Sequence, residues 1–100
     1  MNDIPEEAAE PVELDEIRKG LVDRLKRIEG QVRGIQRMIH EGRDCNEILP
    51  QLSAVLSATK RVASLLAYCS LTERVRDAVA SGQNPRDAVR DLVDLLSRLP

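Results

Sequence analysis

From Leu14 onward the apolar residues of this 100-residue chain recur at steps of three and four, and nowhere do they alternate with period two. That pattern admits helices and excludes a sheet. Leu21, Leu25, Ile28, Val32, Ile35 and Ile39 form one stripe, and Gly42 is a suitable stop for it. Asp44, with Glu47 three residues later, has the spacing of a capping box in which Asp replaces Ser or Thr. It opens a second helix that runs to about Ala80 on Ile48, Leu52, Val55, Leu56, Val62, Leu65, Leu66, Cys69 and Val79. Ser81 and Gly82 end that helix. Asn84 and Pro85 then supply an N-cap and a proline at the first helical position, opening a short third helix on Val89, Leu92, Val93, Leu96 and Leu99. Pro50 is the awkward residue, because it removes a backbone hydrogen bond and crowds the carbonyl of Asn46. It predicts either a kinked first turn around Cys45 or a helix that starts near Pro50.

The fold class is therefore all-α, with two long helices and one short one. A second helix of this length spans roughly 50 Å, too long for so small a chain to cover. Tyr68 is the single aromatic, so three thin helices bury little per chain. At least a dimer is expected, packed antiparallel as a four-helix bundle. Ser53, Ala54, Ser57 and Ala58 would let a partner helix cross closely at mid-helix, although the same residues also serve as ordinary helix filler.

Charge is segregated along the chain. The formal net charge is -2, yet the first 16 residues hold seven acids and no base, and residues 17–100 carry a net +5. Residues 1–13 read as an acidic, disordered tail that acts as an electrostatic shield, and residues 14–100 as the folded domain. An acidic N-terminus is the reverse of a targeting peptide, and no apolar run reaches the length of a membrane span, so a cytoplasmic protein without membrane contact is expected. Around helix one, Lys26, Arg33 and Arg37 lie opposite the apolar stripe, while Arg24 and Arg27 flank it; Lys60 and Arg61 add a pair on helix two. Such a stripe is most often a solvated face. Multiplied by symmetry it becomes a phosphate-binding surface. No recognition-helix pattern, zinc finger or stacking platform is present, so any DNA contact would depend on charge, arginine readout and shape.

Two cysteines and the lone His40, which reads as a surface residue, exclude a disulfide scaffold and a Cys/His zinc site. Cys45 and Cys69 stand about 36 Å apart on one helix and cannot meet within a chain. Two copies of helix two crossing at Ser57 would bring Cys45 of one chain level with Cys69 of the other. Backbone N–H groups at a helix start favour an anion at Cys45, while Asp44 and Glu47 oppose it. Cys69 continues the Leu65-Leu66 run and reads equally well as a small buried hydrophobe. Neither thiol has a base at readable spacing, so the chain does not read as an enzyme.

The string RLKRIEGQVRGIQRMI (Arg24 to Ile39), Cys45, QLSAV (Gln51 to Val55), Arg61 and DAVASG (Asp77 to Gly82) together resemble the copper-sensitive operon repressor (CsoR) family of metal- or thiol-sensing bacterial repressors. The likeness covers about residues 18 to 98. It implies antiparallel dimers that pair into a homotetramer, a dimer of dimers, binding double-stranded operator DNA without a helix-turn-helix. It also implies DNA contact through Arg24 and Arg61, helped by Lys26, Arg27, Arg33, Arg37 and Lys60, and an effector site that includes Cys45 and releases the DNA.

The resemblance departs at the effector site. Copper sensors of the family complete a thiolate-imidazole-thiolate set at the positions held here by Ser70 and Arg74. Thiol sensors keep a cysteine at the position of Arg74, and formaldehyde sensors usually keep a histidine at that of Ser70. Cys69 is one residue before the histidine position, rotated about 100° on an ideal helix. The expectation is a transcriptional repressor released by thiol-directed chemistry, such as reactive sulfur, at Cys45 with Cys69 of a neighbouring subunit, and no cofactor is required. The alternative is a metal-responsive repressor in which Cys45 and Cys69 hold a two-coordinate Cu(I) ion. A non-sensing helical scaffold is a third reading.

Overall fold

A computed structural model describes residues 11–99, with side chains from residue 14 onward. Three helices follow one another: α1 (Pro11–His40), α2 (Cys45–Ala80) and α3 (Pro85–Ser97). The described residues contain no strand, in agreement with the all-α expectation. No described helix is long and apolar enough to cross a membrane.

Two boundaries differ from, or sharpen, the sequence reading. α1 begins at Pro11, three residues before the apolar periodicity starts, because a proline fits the first helical position, where its fixed φ suits the helix and its missing N–H has no partner to lose. The remainder of the expected tail, residues 1–10, lies outside the described residues. α2 runs unbroken through Pro50, so a helix start near Pro50 is overturned. The donor that Pro50 lacks would have met the carbonyl of Asn46, inside the first turn, and one lost bond there is outweighed by a helix of 36 residues.

The same device joins all three helices. At the end of α1, Arg43 N–H donates to the Met38 carbonyl at 2.9 Å and Gly42 N–H to that of Ile39 at 3.0 Å. At the end of α2, Gln83 N–H donates to Ala78 at 2.8 Å and Gly82 N–H to Val79 at 3.2 Å. Both are Schellman closures, which need a left-handed residue, and Gly42 (φ 74°) and Gly82 (φ 73°) supply it. Each helix that follows is capped from the turn. The Asp44 carboxylate accepts from Asn46 N–H at 2.9 Å, and the Asn84 side-chain oxygen accepts from Arg86 N–H at 3.0 Å.

The reciprocal half of the capping box expected at Asp44 does not form. Glu47 instead accepts from Arg43, at 2.6 Å from Nη2 and 3.2 Å from Nε. A charge-assisted pair of bonds from a guanidinium outcompetes a single backbone N–H for the same carboxylate.

The chain divides into two compact units, residues 1–64 and 65–100. In the first, α1 and the opening half of α2 bury Leu14, Leu21, Ile35, Ile48 and Val62. In the second, the closing half of α2 and α3 bury Cys69, Ala78 and Leu92. Much of the expected stripe stays open to solvent: Ile39 is 60% exposed, Leu56 63%, Val79 64% and Val93 58%. Periodicity marks a face, and these faces are wider than the cover that one chain gives them.

Candidate functional site

Cys45 is the first residue of α2 and a free, exposed thiol. Its place is fixed from both sides, by the Schellman closure before it and by the Asp44 cap, which bonds Asn46 across it. The Arg43–Glu47 pair lies alongside, and the hydrogen bond and charge of Glu47, with a smaller push from Glu41, raise the guanidinium above its ordinary range. The sulfur belongs to an open apolar groove of about 450 Å³, lined otherwise by Ile39, Arg43, Ile48, Leu49 and Leu52. An accessible thiol beside one cation and little other polar surface suits a soft metal ion or a sulfur-directed electrophile.

The other expected effector residues are in the second unit. Cys69 is 2% exposed, so the reading of it as a small buried hydrophobe matches its surroundings. Ser70 is half-buried and Arg74 is exposed. Arg74 lines a polar cleft of about 230 Å³ with Asp77, Asn84, Asp87 and Asp91. Among the described residues no three His, Cys, Asp or Glu side chains come together around a point that could hold a metal ion.

The expected DNA-contacting bases are open to solvent. Lys26, Arg27, Arg33, Arg37, Lys60 and Arg61 are exposed and Arg24 is half-buried. None of the seven has an ion-pair partner among the described residues, whereas Arg43 and Arg90 are paired with Glu47 and Asp87. Two residues escaped the sequence reading. Lys19 is exposed and sits seven positions before Lys26, which sits seven before Arg33, so the outward row of α1 is longer than the three bases first assigned to it. Arg43 enters through its four-residue spacing to Glu47, a signal that the capping-box pattern masked.

Residues 17–98 match the family model of the metal-sensitive transcriptional repressors. The copper-sensing transcriptional repressor CsoR of Bacillus subtilis (strain 168) is 45% identical over 78 residues, which is 78% of this chain and 76% of that relative. Among solved structures, the nickel-responsive transcriptional regulator InrS is similar with a TM-score of 0.68 and 40% identity, over 80% of this chain and 89% of that one. The copper-sensing repressor CsoR with Cu(I) from Geobacillus thermodenitrificans NG80-2 gives 0.67 and 35%, over 98% and 92%.

Proposed function

From the premise that this chain belongs to the metal-sensitive transcriptional repressor family, a family of regulators rather than enzymes, we propose that it binds operator DNA as a homo-oligomer and leaves it when an effector acts at Cys45. The observation that carries the DNA half is the set of bases just described, open to solvent and without acidic partners. Each phosphate they neutralise releases a counterion, so affinity falls with log salt by a slope of about 0.9 per contact. The apolar faces left open on all three helices support assembly, with a dimer of dimers as the expected form. A repressor works where the DNA is, which places the protein in the cytoplasm.

For the effector, the named relatives weigh toward a metal ion, with Cu(I) first and nickel second. Cys45 offers a soft donor suited to Cu(I). The three-ligand set implied by the family resemblance does not fit the residues present, because the Ser70 hydroxyl and the Arg74 guanidinium do not ligate Cu(I), and Cys69 is 2% exposed. A metal held here therefore rests on a diverged set around Cys45. One observation favours a second reading, direct modification of the sulfur. Cys45 is an exposed thiol in an apolar groove with Arg43 at hand to face an anionic adduct.

In either reading the chain's own part is the same. The effector acts at the turn that joins α1 to α2, the two helices that carry the bases, and a change in their angle moves Arg24 and Arg61 out of step with the phosphates. Anaerobic titration with Cu(I) against a competing chelator, in parallel with mass spectrometry after persulfide treatment, separates the readings. Retention of Cu(I) by the native protein and not by Cys45→Ala supports the metal. A persulfide adduct on Cys45 that releases DNA, with no Cu(I) retained, supports modification.

A further inference from the structure

We propose that the acidic segment 1–10 is an internal competitor for DNA, pairing with Lys19 and Lys26 on the outward row of α1 and lowering operator affinity until phosphates displace it. The effect on DNA rests on the repressor reading above; the contact itself does not.

The argument is one of charge and length. Residues 1–10 carry Asp3, Glu6, Glu7 and Glu10 and no base. They join the helix at Pro11, the end of α1 from which the basic row starts. Lys19, Lys26 and Arg33 recur every seven residues, so successive bases on that face are about 10 Å apart. In an extended chain Asp3 and Glu6–Glu7 are separated by about 10–14 Å, a matching interval.

Reach then decides which bases can be covered. Doubling back from Pro11, Lys19 is about 12 Å along α1, Lys26 about 22 Å and Arg33 about 33 Å. Glu6 and Glu7 reach about 14–17 Å and Asp3 about 27 Å at full extension. The segment can therefore meet Lys19 and Lys26, while Arg33 and Arg37 lie beyond its acids and remain open. Lys19 and Lys26 are both exposed, and neither has an ion-pair partner among the described residues. Attraction between such exposed charges is screened by salt, so the competition belongs to low and moderate ionic strength.

Two measurements on the full chain test this. Zero-length carbodiimide cross-linking at low salt, read by peptide mass spectrometry, is expected to join Asp3, Glu6 or Glu7 to Lys19 and Lys26, and to lose those links when a DNA duplex is added. Their absence, or links formed as readily to Lys60, would overturn the contact. A tail-neutral variant (Asp3→Asn, Glu6→Gln, Glu7→Gln, Glu10→Gln) is expected to bind the duplex more tightly at low salt, with a salt slope steeper by about one to two, as one or two more bases meet phosphate. Equal affinity and slope would overturn the competition. If neither protein binds DNA at low salt, the repressor reading fails and the competition with it, while the cross-links still decide whether the contact exists.

Discussion

The two turns of this protein share a backbone and differ in what hangs from it. Residues 41–44 and 81–84 both close a helix with a left-handed glycine and a Schellman pair of bonds, and both cap the next helix with an Asp or Asn oxygen on the second N–H. At the position that follows, one turn carries Cys45 and the other Pro85. Proline there only starts a helix. Cysteine there starts a helix and also holds a thiol open to solvent at a fixed point between the two long helices. The comparison teaches that the scaffold of the candidate site is generic and that its chemistry rests on a single substitution within it.

If the two turns are equivalent as scaffolds, equal damage should follow from equal changes. Gly42→Ala and Gly82→Ala force an L residue into the left-handed region with no neighbour within 4 Å of the new Cβ, so strain alone acts. Each is expected to lose about 1–2 kcal/mol in denaturant titrations. A large difference between them would show that one turn is held by contacts its backbone does not reveal. Removing the caps comes next. Asp44→Ala and Asn84→Ala should each cost about 1 kcal/mol in the same assay.

The smallest expected effect separates the turns. Arg43–Glu47 is an exposed pair, so Arg43→Gln should leave the unfolding midpoint unchanged within error. It takes a cation from beside the sulfur, however, and alkylation of Cys45 by iodoacetamide at pH 7 should slow by about twofold. An unchanged rate would mean that the guanidinium serves only Glu47.

Both turns were legible in the sequence, because a glycine followed two residues later by Asp or Asn states the closure and the cap in local terms. The helix start at Pro11 was not. The acidic, proline-containing composition of residues 1–13 speaks for a solvated tail, and composition does not distinguish a helix's first turn from what precedes it. The partner of Glu47 was missed for a related reason, since its three-residue spacing to Asp44 and its four-residue spacing to Arg43 are both readable, and only the strength of a guanidinium bond decides between them. Cys69 was left open between ligand and core residue, and its burial answers to packing rather than to spacing. The apolar stripes gave the faces correctly but not their cover, because a helical period carries no information about which neighbour, within the chain or outside it, will sit on it.

The central claim is that Cys45 receives the signal that frees the DNA. The direct test uses a duplex selected from a random-sequence pool by the untreated protein, and measures its release as Cu(I), or in a parallel series a persulfide donor, is added without oxygen. The native chain should let go of the duplex in at least one series, and Cys45→Ala should bind as tightly as the native chain beforehand and stay bound in both. Release of Cys45→Ala at the same effector concentration as the native chain would contradict the account.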